Sequence, residues 1–363
     1  MAVLSRILVV NAGSSSLKLR VLDATDSVVA SADLPAPRGA ADTAAVKDAI
    51  GSFWNVDAAG HRIVHGGTLY RAPALIDPGV RQRMAALTDL APLHQPKSLA
   101  ALDAVQAVLP DVPAVACFDT AFHATLPPAA YIYALPRQWR ERWGVRRYGF
   151  HGLSHAWATR RARQLVPAAR RVVTCHLGAG ASLAAVLDGH SVDTTMGFTP
   201  LDGLVMATRC GSVDPGLLLW IQEHEALPAH EIAHSLEYSS GLLGLADTAD
   251  MQEILRRPDP DARLALEVYL HHLTAGIAAM TASLGGLDCV VFTGSVGAHA
   301  AQIRERAASR LGYLGVRVDP GLNSGAEPDT DISAADAAAR TLVVTSREDL
   351  EIAAGVERLL GGG

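Results

Sequence analysis

The chain has 363 residues, of which 49% are apolar and 19% charged, with a formal net charge of −6. That length exceeds what a single hydrophobic core usually serves, so two domains are expected. The acidic balance offers no general attraction to nucleic acid or anionic lipid, and any anion must be held by a local pocket.

In chain order, the first expected element is a strand over Ile7 to Val10, which enters the polar turn "NAGSSSLK" and leaves through the β-prone "KLRVLD". This is no Walker loop, because that motif opens a helix after Gly-Lys-Ser/Thr. Phosphate, if held here, is held by a hairpin tip. The apolar run before Asn11 is too short for the core of a signal peptide. "KSLAALDAVQAVL" (97–109) places Leu99, Leu102, Val105 and Leu109 on one helical face and is stopped by Pro110. "RQWRERWGVRRY" (137–148) interleaves five arginines with Trp139, Trp143 and Tyr148, as a single-stranded nucleic-acid platform would. On an acidic chain a solvated helix face is the expectation.

Residues 171–188, "RVVTCHLGAGASLAAVLD", align without a gap on residues 6–23, "RILVVNAGSSSLKLRVLD", at an offset of 171 − 6 = 165. Two hairpins of one pattern imply two related domains facing one cleft. "HEIAH" (230–234) has the spacing of a zinc-binding pair, but no third ligand or metalloprotease context accompanies it. A long helix is expected from the Asp259 cap and Pro260 to Gly285-Gly286. His271, His272, Thr274 and Gly276 interrupt its apolar tract, which suits a buried helix better than a membrane span. The strand "CVVFTG" then meets a third small turn, "GSVGAH". Strands alternating with helices indicate α/β architecture. Cys117, Cys175, Cys210 and Cys289 form no C-x-x-C pair, which argues against a zinc ribbon or disulfide framework and favours a cytoplasmic location.

The polar clusters at strand ends are rich in Arg, Lys, His and Gly and poor in carboxylates. That inventory suits a polyanion. Phosphoryl transfer needs in-line alignment and positive charge around the moving group more than covalent help. Arg62 and Arg209 are candidate clamps, because a guanidinium fork matches phosphate and carboxylate bidentately. The glycines of "HLGAGAS" let backbone N–H groups approach an oxyanion. Asp119, after the apolar "AVACF", is either a turn residue or a carboxylate that orients metal-bound water.

The motifs "NAGSSSLK", "HRIVHGG", "FDTAFH", "RRYGFHG", "GFTPLDGLVMATR" and "SGLLGLAD", in this order, resemble the acetate kinase family from end to end. The resemblance implies duplicated ribonuclease-H-like domains, as in sugar kinases, heat-shock ATPases and actin. The N-terminal domain would comprise 1–120 plus 348–363 and the nucleotide-binding domain 121–347. It implies Mg²⁺-dependent transfer from ATP to acetate, giving acetyl phosphate, by a homodimer; Mn²⁺ would be a substitute. By matching motif, Asn11 and Glu348 would serve the metal, and Ser16 and Lys18 would face the phosphates. Arg62 would bind the acetate carboxylate and the transferring phosphate, Asp119 would orient the reactants, and His151 and Arg209 would stabilise the transition state. Val64, Leu93, Phe150 and Pro200 would form the methyl pocket, with His94 on the carboxylate side. His176, Leu177, Gly178, Ala179 and Gly180 would meet phosphates; Asp250, Met251, Gln252, Ser295, Val296, Gly297, Ala298 and His299 would surround the nucleoside.

This chain departs from the family pattern mostly on the nucleotide side, at Ala179, Gln252, Ser295, Ala298 and His299, and also at Leu153 and Gln95. A carboxylate kinase with an altered phosphoryl donor is therefore one expectation. Other readings are a propionate or butyrate kinase, a weakly catalytic nucleotide sensor, and a zinc hydrolase built on His230 and His234.

Overall fold

The computed structural model describes residues 4–13, 16–35, 43–53, 55–92 and 94–361. They fall into two compact units, the first drawn from 1–124, 150–153 and 347–363 and the second from 125–149 and 154–346. Phe150 to Leu153, from the "GFHG" turn onward, thus pack with the first unit, although the residues on either side of them belong to the second.

The first unit is built on strands β1 (Arg6–Ala12), β2 (Ser16–Asp23), β3 (Val28–Pro35), β4 (Ala58–Ile63), β5 (Ala74–Leu75) and β6 (Ala114–Phe118), in the order β3-β2-β1-β4-β6-β5. β1, β4 and β6 run parallel, while β2, β3 and β5 join antiparallel. Ile7 to Val10 are buried on both sheet faces, which explains why β1 reads as an unbroken apolar run rather than an alternation. On one face Leu8, Val10, Leu19 and Val21 pack with Val46, Ile50, Ala101 and Val105. On the other lies the helix Glu348–Leu360, which Gly60 admits. A Cβ at Gly60 would sit 2.5 Å from Ile352 Cγ2.

The second unit repeats the plan with β7 (Arg171–Leu177), β8 (Ala181–Leu187), β9 (His190–Thr194), β10 (Cys289–Thr293), β11 (Thr330–Asp331) and β12 (Arg340–Val343). Its order is β11-β12-β10-β7-β8-β9. Read from β9, the series β9-β8-β7-β10-β12 reproduces β3-β2-β1-β4-β6 in order and direction, and each sheet ends on a two-residue antiparallel strand. This is the expected duplicated ribonuclease-H-like fold of mixed sheets flanked by helices.

The repeat is not gap-free. Ala12 faces Leu17 across the first hairpin, whereas Leu177 faces Ala181 across the second, so the offset is 177 − 12 = 165 on the first strands but 181 − 17 = 164 on the next. The tips explain the slip. Gly13 N–H reaches the carbonyl three residues on, at Ser16 (2.8 Å), while Gly178 N–H closes two residues on, at Gly180 (3.0 Å). The two Val-Leu-Asp triplets that coincide in the sequence consequently sit one register apart.

The helix Gln95–Val108 begins two residues before the periodic run at 97–109, because Pro96 fits the first turn, and Leu109 lies outside it as the cap. The long helix spans Pro260–Leu284; the Asp259 carboxylate accepts from Ala262 N–H (3.0 Å) and Gly285 closes it at φ +66°. The aromatic-arginine segment forms the helix Arg137–Trp143 with Trp139 and Trp143 about half exposed. Arg147 Nη1 donates to the carbonyls of Thr195 (2.8 Å) and Met196 (3.0 Å), so this arginine serves the fold.

Gln95, one of the departures, has a structural task. Fully buried, it accepts from His65 N–H (3.1 Å) and donates to the carbonyls of His65 (3.2 Å) and Met84 (3.2 Å). It ties the "HRIVHGG" segment to its helix. Gln95→Ala strands three buried backbone groups and is expected to lower unfolding free energy by about 2–4 kcal/mol in urea titrations. A loss below about 0.5 kcal/mol, the usual range of surface substitutions, would show that these bonds are not structural.

Candidate active site

In the first unit the parallel strands β1, β4 and β6 end side by side and deliver Asn11, Arg62 and Asp119, as strand ends in α/β sheets commonly do. Arg62 is bidentate to Asp119, with Nε 3.0 Å from Oδ1 and Nη2 2.6 Å from Oδ2. Its Nη1 donates to Asn11 Oδ1 (3.2 Å), and Asn11 Nδ2 donates to Glu348 Oε2 (2.9 Å). Glu348 Oε2 also lies 3.9 Å from Arg62 Nε.

Asp119 is almost wholly buried. Burial is the strongest influence on its carboxyl and pushes it above the usual carboxylate range, opposed by Arg62. Burial likewise works against the Arg62 charge, but Asp119 and Glu348 outweigh it and hold the guanidinium above its ordinary value. Arg62 spends Nε–H and one Nη2–H on Asp119 and one Nη1–H on Asn11, which leaves N–H groups to meet an incoming anion.

The oxygen donors fit a hard divalent cation. Mg²⁺ takes one or two protein oxygens beside water and phosphate, and the Asn11 amide and Glu348 carboxylate are of that kind, whereas both Asp119 oxygens are committed to Arg62. Among the described residues no group of three His, Cys, Asp or Glu could hold a metal alone. His230 and His234 sit on the helix Ala229–Tyr238, which has no buried residue.

The turn carrying His151 is clamped onto the end of β6. Gly152 N–H donates to the Asp119 carbonyl (2.9 Å), and a Cβ there would stand 2.1 Å from that oxygen. His151 itself has φ +55°, a conformation that non-glycine residues adopt at a cost and that concentrates at functional sites. Phe150, buried, accepts at its carbonyl from the ring of His123 (Nε2 3.1 Å) and lies edge-on to His65 at 5.5 Å. Val64 is buried and His94 immediately precedes the helix Gln95–Val108. Ser16 opens β2, and Lys18 faces Asn11 across the hairpin. Leu93 lies outside the described residues.

His61, also in "HRIVHGG", has a different place. It is 1% exposed, and neither ring nitrogen has a hydrogen-bond partner among the described residues.

The second unit holds a cavity of about 510 Å³. Its walls include Gly178 and Ala179 of the hairpin tip, Asp250, Met251 and Gln252 at a helix start, and Ser295, Val296 and His299 of the "GSVGAH" turn. Gly294, at φ +79°, allows that turn to approach β7, for a Cβ would lie 2.5 Å from the Leu177 carbonyl. His176 Nδ1 is 2.7 Å from Ser154 Oγ. Leu177, Gly180, Gly297 and Ala298 do not line the cavity. Instead the carbonyls of Gly297 and Ala298 accept from Arg304 Nη1 at 3.0 and 2.8 Å, which braces the turn from behind. Arg209 pairs with Glu237 (Nε to Oε1 3.2 Å) and donates to the Pro200 carbonyl (3.0 Å). Burial lowers the Arg209 guanidinium from its ordinary value, and Glu237 opposes the fall.

Sequence reasoning missed Tyr269, Arg256, Ala207 and Leu242 as cavity walls, and Glu237 and Arg304 as braces. Ala207 and Leu242 lie inside the motifs "GFTPLDGLVMATR" and "SGLLGLAD", whereas Tyr269, Arg256, Glu237 and Arg304 lie outside every quoted motif, so no local signal marked those four.

A model of the acetokinase family matches residues 38–354. The chain belongs to that family. It is 47% identical to an acetate kinase of Gloeobacter violaceus over 82% of this chain and 75% of that protein. An acetate kinase of Methanosarcina acetivorans is 40% identical over 96% and 95%. Among solved structures, Porphyromonas gingivalis acetate kinase superposes with TM-score 0.89 at 33% identity, covering 98% of this chain and 100% of that one. A propionate kinase of Francisella tularensis gives 0.88 at 32% identity, covering 97% and 99%. The family comprises phosphotransferases with a carboxyl group as acceptor.

Burial makes His61 one contributor to the loss of stability in acid, beside His65, which burial lowers to the same degree. Burial lowers the His61 imidazole from 6.5 to about 4. A depressed folded value means that its stabilising share is complete above pH 6.5 and is lost as pH falls towards 4. At 1.36 kcal/mol for each pH unit of difference, roughly 3 kcal/mol disappears across that window. His61→Leu is expected to flatten this part of the stability curve measured by denaturant unfolding at several pH values. An unchanged slope would show that another group carries it.

Proposed function

We propose that this family member transfers the γ-phosphoryl group of ATP reversibly to acetate, giving acetyl phosphate and ADP, with Mg²⁺. The Arg62 network carries the reading. A guanidinium fixed bidentately by Asp119, and bonded to Asn11, offers its remaining N–H groups to a carboxylate and a phosphoryl oxygen. Asn11 and Glu348 would hold the cation, which when bound would neutralise phosphate charge.

Acetate is already ionised near neutral pH, so its attack on phosphorus needs no general base. Transfer is direct and in line. Asp119 orients Arg62, while His151 and Arg209 stabilise the charge spread over the transferring oxygens. Val64, Leu93, Phe150 and Pro200 are the motif positions that would face the methyl group. Such an apolar pocket discriminates each extra methylene by only about 1–3 kcal/mol, so propionate is a slower substrate. The likeness to a propionate kinase makes the acceptor series the natural comparison.

A hydroxamate assay for acetyl phosphate tests this reading, with acetate, propionate and butyrate as acceptors and ATP, GTP and pyrophosphate as donors. Activity with acetate and ATP is expected, and Arg209→Ala should lower kcat at least 100-fold, the scale on which a transition-state donor acts. Full activity in that variant would remove Arg209 from the site. A strong preference for GTP or pyrophosphate would reassign the donor, as the changes at Ala179, Gln252 and Ser295 to His299 allow.

A homodimer is also proposed. Leu217, Leu219 and Trp220 on the helix Pro215–His224, with Val213 before it, leave an exposed apolar row suited to a second copy. Light scattering should give twice the 38.1 kDa chain mass. Leu219→Glu with Trp220→Glu should give the single mass, and a dimer surviving both would place the interface elsewhere.

A further inference from the structure

The cavity of the second unit has one arginine or lysine in its wall, Arg256, on the helix Met251–Arg256. Its neighbour Arg257 is fully engaged, donating to Asp259 (2.8 and 3.1 Å) and to the Ala246 carbonyl (2.6 Å). Glu253, the carboxylate within that helix, accepts from Thr248 Oγ1 (2.7 Å) and lies 3.7 Å from Arg257. Arg256 has no carboxylate partner among the described residues. Its Nε donates to the Gln252 carbonyl at 3.0 Å.

That bond has a geometric consequence. Residues four apart share a helical face, and side chains lean towards the helix N-terminus. The guanidinium of Arg256 is therefore drawn back over the turn that carries Gln252, which also lines the cavity. Both terminal nitrogens stay uncommitted. Close by, Leu255 and Met251 contribute apolar wall. The Gly178 tip and Ser295, also in the lining, lie against each other, since a Cβ on Gly178 would lie 3.4 Å from Ser295 Oγ.

We propose that Arg256 lays its guanidinium plane on the base of the bound nucleotide, so that it sets nucleotide affinity. The proposal rests on the reading of this cavity as the nucleotide site. A planar, weakly hydrated cation stacks on an aromatic face in a way a lysine ammonium does not reproduce. Every purine has such a face, so the contact supports adenine and guanine nucleotides alike.

Calorimetric titration of the full-length protein with ADP and with GDP tests this. Arg256 is exposed, so its substitution leaves the fold intact. Arg256→Gln should weaken both nucleotides about tenfold and leave the acetate KM unchanged. Arg256→Lys should be nearly as weak as Arg256→Gln. Gln252→Arg combined with Arg256→Gln should return affinity to within about threefold of the original, because an arginine one turn earlier reaches the same volume. Affinity within twofold of the original in Arg256→Gln would overturn the proposal. So would full affinity in Arg256→Lys, which would mean a point charge on phosphate. Failure of the unsubstituted protein to bind either nucleotide would instead defeat the nucleotide reading of the cavity, and the stacking role with it.

Discussion

The Arg62–Asp119 pair is the constraint on which the first unit's site depends. Its two members come from adjacent parallel strands, and through Asn11 the pair reaches Glu348, 337 residues further along the chain. Ion pairs at a protein surface contribute little, but breaking a buried pair by removing one member is costly because the survivor is left uncompensated. With the carboxylate nearly inaccessible, the guanidinium is held in one orientation before any ligand arrives. Phosphoryl transfer benefits from that kind of preorganisation, since the protein's task is alignment and charge rather than covalent chemistry.

The second unit reuses the plan for a different end. The same strand order and directions recur, yet the hairpin tip is one residue shorter, and His176 stands where the first hairpin has Asn11. His155 bonds Thr174 and Ser182, each at 2.8 Å, and Arg304 holds the turn beside the cavity through neutral carbonyls. An arginine satisfied by carbonyls alone keeps its charge without a neighbouring carboxylate, which suits a unit that is read as binding polyphosphate.

Much of this was legible in the residues. The unbroken apolar runs of β1 and β10, the Asp259 cap and the Gly285 stop are local signals, each caused by the chemistry of a few consecutive residues. The long motifs marked Arg62 and Asp119, and the structure joins them directly. His61 shows the limit. It belongs to the same motif as Arg62, but strand alternation sends neighbouring side chains to opposite sheet faces, so one enters the polar network and the other is buried without a bond.

What the amino-acid order determined alone was the two-domain α/β class, the repeated hairpin and the family, because periodicity, caps and long motifs are written in consecutive residues. Tertiary structure decided the rest. It set the one-residue slip between the hairpins, which depends on which carbonyl each tip closes upon. It also gave Gln95 its three backbone partners and Arg209 its Glu237, pairs formed by chain segments that no local pattern connects.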